Sequence, residues 1–134
     1  MTADPHKYDK TTGFRHLRNA ALNSLRGIGA AWRNETAFRQ ASTMTVLLSP
    51  VGIWLGTSGV ERALLVGSLL LMLIIELLNS GVEAVVDRVG LERHELSGIA
   101  KDVASAAVAL AIVNAVVVWV LILWPHYGPK LFSQ

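Results

Sequence analysis

The chain has 134 residues, 52% of them apolar and only 16% charged, with a formal net charge of +2 and a positive mean hydropathy. That balance is far from a soluble globule, and the length allows one domain at most. With no cysteine present, disulfides, thiolate metal sites and thiol nucleophiles are all excluded.

Residues 1–12 are polar, carry Pro5 and paired threonines, and are expected to form a disordered tail. No short apolar core with a small-residue cleavage site is found there, so no cleaved targeting peptide is expected. From about residue 13 to 33 the apolar residues Phe14, Leu17, Ala21, Leu25, Ile28 and Trp32 recur at spacings of three and four, which puts them on one helical face. Arg15, Arg18, Arg26 and Arg33 lie off that face. A basic amphipathic helix ahead of an apolar run reads as lying flat on an anionic leaflet. The plainer alternative is a helix packed on other protein.

Three membrane spans follow. The first covers about residues 42–59 and holds Pro50 and Gly52, which predicts a kink that neighbouring helices must satisfy. Gly56-Thr-Ser-Gly59 reads as a tight turn, with Glu61 and Arg62 as a solvated turn pair. The second span runs from about 63 to 86, long enough to cross at about 1.5 Å per residue. Residues 88–102 form a polar connection, the third span covers about 103–124, Pro125 ends it, and 129–134 are a tail. Seven of the twelve basic residues precede the first apolar run, and Arg88, Arg93 and Lys101 lie between the second and third. This asymmetry places the amino terminus and the 88–102 connection in the cytoplasm and the carboxyl tail outside. Trp54, Trp119 and Trp124 then fall near the outer boundary and Trp32 near the inner one.

The second span carries what a membrane helix avoids. Glu76, Asn79, Ser80, Glu83 and Asp87 fall within an arc of about 100°, a polar stripe on an apolar helix. Ionised carboxylates in hydrocarbon are costly and mark function or a buried partner charge. Glu76 lies about 21 Å along the helix from Arg62, in the inner half of the bilayer, and Glu83 and Asp87 reach the cytoplasmic headgroup zone about 10–16 Å later. The stripe could join a lipid headgroup to a water-soluble reagent.

Three blocks, Ala31-Trp-Arg-Asn-Glu-Thr-Ala-Phe-Arg-Gln40, Glu76-Leu-Leu-Asn-Ser-Gly-Val-Glu-Ala-Val-Val-Asp-Arg88 and His94-Glu-Leu-Ser-Gly-Ile-Ala-Lys-Asp102 followed by Ser105-Ala-Ala, resemble those of the small integral-membrane diacylglycerol kinases of bacteria. The resemblance covers about residues 13–128. It implies an all-α membrane protein, a homotrimeric bundle of chains that each have an amphipathic surface helix and three spans. It implies phosphorylation of membrane diacylglycerol by MgATP to phosphatidic acid in the bacterial cytoplasmic membrane, with no nucleic-acid partner. On the matching positions Glu76 is the general base, and Glu35 and Glu83 hold Mg2+. Glu92, Arg93, His94, Lys101 and Asp102 contact the nucleotide, with Asn79 and Asp87 completing the polar shell. The implied nucleotide set also takes in His16 and Asn23, which stand where the family usually has an arginine and an aromatic residue. Trp32, Phe38, Arg39, Gln40, Trp54 and Trp119 are the implied lipid contacts. Ala41 and Asn114 are further departures, from an acid and from an apolar residue.

The chemistry of these side chains agrees with such roles. Magnesium prefers oxygen ligands and is commonly held by one or two carboxylates plus phosphate oxygens. Phosphoryl transfer needs charge neutralisation and alignment more than covalent help, which Lys101 can supply as a cation. A partly desolvated carboxylate such as Glu76 suits a general base. Neither GxxxxGK[ST] nor GxGxxG occurs, so metal and side chains must hold the phosphates. Against these stand blander readings. Glu76 and Glu83 could pair with Lys101 or Arg88 between helices, Glu35 could be a solvated charge, and Lys101-Asp102 could snorkel. Competing functions are a polyprenol acceptor in the same site, a proton-coupled transporter using Glu76, and a membrane subunit without catalysis. A lone three-span chain has little surface to enclose the stripe, so the site is expected to be shared between neighbouring chains.

Overall fold

The computed structural model describes residues 13–89 and 94–131. The tail expected over 1–12, and Glu92 and Arg93 of the connection, lie outside the described residues. Four helices make up the rest: α1 (Gly13–Asn34), α2 (Thr36–Leu55), α3 (Gly59–Val89) and α4 (Glu95–Leu131). The described residues are thus all-helical, as expected. α3 is the central element, packed along α4 on one flank and α2 on the other, and α1 touches α2 and α3 only lightly.

α1 behaves as its periodicity predicts. It has one apolar and one basic face, and Leu17, Leu25 and Ile28 are uncovered within the chain. It ends because Glu35 adopts an extended backbone, φ −112° and ψ 116°. The carbonyls this orphans are satisfied locally. The Glu35 amide donates to Ala31 O at 2.8 Å, and the Arg39 guanidinium donates to Trp32 O at 3.2 Å and Arg33 O at 3.3 Å. Arg39 also reaches Thr36 Oγ1 at 2.8 Å, so one side chain welds the junction of α1 and α2.

α2 begins six residues before the expected first span and stops at Leu55, short of residue 59. It continues through Pro50, which has no N–H for the carbonyl four residues earlier. Among the described residues, only α3 and α4 are long and apolar enough to cross a membrane by themselves. The difference from the expected three lies in the first turns of α2, where Arg39, Gln40, Ser42, Thr43 and Thr45 dilute the apolar run.

The turn of residues 56–58 is tight, as expected, but its chemistry differs. Ser58 caps α3 by accepting from the Glu61 amide at 3.2 Å. Glu61 accepts from the Thr57 amide at 2.7 Å and the Thr57 hydroxyl at 2.8 Å, a variant of the capping box. Arg62 turns the other way and donates to Gly56 O at 2.9 Å. The two are therefore not a solvated pair. Glu61 lies outside the apolar run of 63–86, and the Thr57 amide and hydroxyl, then His126, hold its carboxyl down at about 2.

Two expectations about α4 are corrected. Pro125 does not end it, because the helix runs through Pro125 and Pro129 to Leu131. Its last turns are held on the α2–α3 turn, His126 Nε2 lying 3.2 Å from Glu61 Oε1 and Tyr127 OH donating to Leu55 O at 3.1 Å. At the other end much of the polar connection is helix. His94 is the N-cap, its Nδ1 accepting from the Leu96 amide at 3.2 Å, and Glu95 to Asp102 form the opening turns.

The core of the chain is small. Leu65 and Leu69 of α3 meet Ala111 and Ala115 of α4, with Thr45 and Gly52 closing the α2 side. Gly52 is required by close approach, since a Cβ there would lie 3.1 Å from Leu65 Cβ and 3.3 Å from the Trp119 ring. Trp119 donates its indole N–H to Leu65 O at 3.2 Å. It thus wedges between helices near the Arg62 end of α3, and Trp54 is 80% exposed. Most apolar side chains of α3 and α4 remain uncovered within the chain. Contiguous apolar surface on that scale needs a bilayer or a partner to cover it.

Candidate active site

The site begins with the period of α3. Residues 76, 80, 83 and 87 recur on one face, so polar side chains scattered through an apolar sequence become adjacent. Glu76 is 5% exposed and Ser80 7%; Ser80 donates its hydroxyl to Glu76 O at 3.1 Å, satisfying itself within the helix. One turn on, Asn79 Nδ2 donates to Glu83 Oε1 at 3.0 Å. This fixes the Glu83 carboxylate on the stripe and leaves its second oxygen available. The other end of that carboxamide, Asn79 Oδ1, is buried without a hydrogen-bond partner among the described residues. An orphaned buried acceptor is costly and calls for an explanation such as a bound ion or water.

The extended residue between α1 and α2 brings Glu35 to the same place. Glu35 faces Ser80 of α3, one turn on from Glu76, across a shared cavity. Between α1 and α3 a cavity of about 450 Å³ is lined by Gly27, Ala31, Glu35, Ser80, Gly81 and Ala84 among others. Small residues on both walls keep it open. At the carboxyl-terminal end of the stripe Lys101 Nζ lies 2.6 Å from Asp87 Oδ1, tying α4 to α3. The pairing of Glu76 and Glu83 with Lys101 or Arg88 is not found among the described residues; Asp87 takes Lys101.

Among the described residues no three His, Cys, Asp or Glu side chains gather closely enough to cage a metal ion. The donors on offer are hard oxygens, from Glu83 and the orphaned Asn79 Oδ1 on one face of α3 and from Glu35 on the cavity wall shared with Ser80. Such a set fits Mg2+, which takes few protein ligands and completes its shell with water and phosphate.

Other sequence-predicted site residues stand apart. His16 and Asn23 lie on exposed parts of α1, about 28 Å and 18 Å along the helix axis from Glu35. Asp102 is exposed and falls on the face of α4 turned away from α3. His94 is occupied as a cap. Of the lipid set, Phe38 is buried at 3% exposure, Arg39 serves the α1–α2 junction, and Trp119 packs inside. Trp32, Gln40 and Trp54 are exposed. Sequence reasoning missed the part played by Ser24, Gly27 and Ala31 in shaping the cavity. The only signal was their small size on the inward side of α1.

Known proteins bear on this arrangement directly. Residues 22–123 match the family described as prokaryotic diacylglycerol kinase. The chain is 49% identical over 120 residues to the diacylglycerol kinase of Escherichia coli strain K12, covering 90% of this chain and 98% of the relative. Identity to the diacylglycerol kinase of Haemophilus influenzae is 49% over 110 residues, 82% of this chain and 93% of the relative. A more distant diacylglycerol kinase, from Helicobacter pylori strain 26695, is 34% identical over 110 residues, 82% of this chain and 86% of the relative.

Proposed function

This chain belongs to the prokaryotic diacylglycerol kinase family, and from that membership we propose that it transfers the γ-phosphoryl group of ATP to the free hydroxyl of a membrane diacylglycerol. The observation that carries the reading is the buried Glu76, followed on the same face by the Asn79-bonded Glu83, at the inner end of an otherwise apolar helix. A lipid alcohol that stays in the bilayer and a nucleotide that stays in water can meet only at that depth.

Glu76 accepts the proton as the lipid oxygen attacks the γ-phosphorus, and the bond to the β–γ bridging oxygen breaks to release ADP. Its burial keeps water from competing for the phosphoryl group. Glu83, Glu35 and Asn79 Oδ1 would hold Mg2+, which when bound neutralises charge on the phosphates. Asn79 sets the Glu83 rotamer through its amide. Lys101, held by Asp87, offers a cation beside the phosphate path and joins α4 to the site.

The chain works in the cytoplasmic membrane with α1 on the inner leaflet and the His94 end of α4 in the cytoplasm. α2 serves as the third crossing, its polar first turns lying among headgroups or neighbouring helices. Three copies form the enzyme, which covers the stripe and brings His16 and Asn23 of one chain to the carboxylates of another.

The test is phosphoryl transfer from γ-labelled MgATP by purified protein in mixed micelles, with a short-chain diacylglycerol and a short polyprenol offered together. Label is expected in phosphatidic acid; label confined to polyprenyl phosphate would reassign the acceptor. Glu76→Gln should lower kcat by about 10²–10⁴-fold, the usual range for a lost general base. Glu83→Gln should raise the Mg2+ concentration needed for half activity. A Glu76→Gln enzyme with unchanged turnover overturns the base assignment.

A further inference from the structure

Phe38 is almost wholly buried, at 3% exposure, unlike every other member of the implied lipid set, and the kinase reading gives it no task. Its position follows from the stripe it shares. α2 buries Phe38, Thr45 and Gly52, which recur at intervals of seven and so lie on one face. Mostly α3 covers that face, because α2 packs along α3 and touches α1 only lightly. Two contacts set the register of these antiparallel helices. A Cβ at Gly52 would lie 3.1 Å from Leu65 Cβ, and the Thr45 hydroxyl donates to Leu69 O at 3.5 Å. Seven residues back along α2 from Thr45, about 10 Å, Phe38 stands level with the α3 turn from Glu76 to Asn79. Glu76 lies within about 20° of Leu65 and Leu69 around the α3 axis, so it faces α2 with them, 5% exposed.

A phenyl ring offers water no hydrogen bond, so a wall made of it is dry. The ring is also held. Its neighbour Arg39 donates to Trp32 O, Arg33 O and Thr36 Oγ1, which pins the first turn of α2 to the end of α1. Dryness matters because a carboxylate able to take a proton from a lipid hydroxyl can take one from water as readily. Water is the more abundant acceptor, and keeping it out suppresses hydrolysis at a reactive centre.

We propose that Phe38 seals the Glu76 end of the site against water and thereby decides that the phosphoryl group goes to the lipid hydroxyl. The inference rests on the kinase reading and makes Phe38 a positioning residue that acts through Glu76, not a lipid contact. With the ring removed, a water oxygen forms the new bond to the γ-phosphorus and its proton passes to Glu76. The bond to the β–γ bridging oxygen breaks, giving ADP and inorganic phosphate.

The test uses the full chain in micelles with γ-labelled MgATP, and counts inorganic phosphate without lipid acceptor and phosphatidic acid with saturating diacylglycerol. Phe38→Ala should raise lipid-free hydrolysis by about tenfold or more, a barrier lower by about 1.4 kcal/mol. Phe38→Leu, which refills most of the volume, should stay near the wild-type rate. Leu69→Ala opens a cavity on the same interface one stripe position away, and should leave hydrolysis unchanged. Unchanged hydrolysis in Phe38→Ala, with only the KM for lipid raised, overturns the proposal and makes Phe38 a lipid contact. Equal hydrolysis in Leu69→Ala overturns it too, as general loosening of the fold. Should Phe38→Ala lose its helical circular dichroism, Phe38→Val carries the same comparison. A wild-type chain that labels no lipid counts against the kinase reading itself, whereas normal lipid labelling with unmoved hydrolysis sinks the seal alone.

Discussion

Asn79 shows how one side chain prepares a site. Its amide nitrogen orients Glu83, and its buried oxygen has no partner among the described residues. Leaving such an atom unpaired costs about 1–3 kcal/mol unless a ligand supplies the missing contact. Lys101 allows structure and catalysis to be separated. Its 2.6 Å bridge to Asp87 is solvent-accessible on both sides, and exposed bridges contribute about 0–1 kcal/mol. Lys101→Met is therefore expected to change thermal stability little while lowering kcat/KM for ATP by at least about tenfold, roughly 1.4 kcal/mol of lost charge stabilisation. A purely structural lysine would give the opposite pattern, with a lowered Tm and unchanged ATP kinetics.

Elements are positioned here by their ends. The α1–α2 break exists because Arg39 and the Glu35 amide absorb the carbonyls that α1 leaves open, and the extended residue it creates is Glu35 itself. At the opposite end, Glu61 joins the start of α3 to the last turns of α4. Its carboxyl, lowered to about 2, stabilises the folded form in its charged state. That contribution is complete above the ordinary carboxylate range and is lost as pH falls toward about 2. Limited proteolysis of the α4 terminus should therefore reveal no loosening from this group between about pH 7 and 5, and growing cleavage below about pH 4. In Glu61→Gln the terminus should be cleaved readily throughout, with that acid-dependent step absent.

Across the whole molecule the cover is missing. One chain buries Leu65, Leu69, Ala111 and Ala115 and leaves most of α4 to lipid or to other copies. Its α1 carries His16 and Asn23 far from the carboxylates of its own α3. A site completed by a neighbour's α1 makes a simple prediction. Glu76→Gln chains and His16→Ala chains, each weak alone, should regain activity when unfolded together and reassembled, because some mixed sites carry both intact residues. Activity no greater than the average of the two variants would confine each site to one chain.

Much of this was legible in the residues. The face of α1 and the acidic stripe are periodicity, and periodicity survives folding because helix geometry is local. The helices long and apolar enough to cross a membrane, α3 and α4, were visible as apolar runs for the same reason. Helix ends were less legible. Pro125 does not stop α4 because His126 and Tyr127 are bonded to residues 65 and 72 positions away, and no local rule contains those partners. The same holds for the packing of Trp119, whose indole donates to Leu65 O across 54 residues. Sequence alone determined which side chains share a face, since that depends on residues one turn apart. Tertiary structure alone decided which faces meet, brought Glu35 to the cavity that Ser80 lines, and left Asn79 Oδ1 without a partner among the described residues, since each depends on the packing of segments distant in the chain.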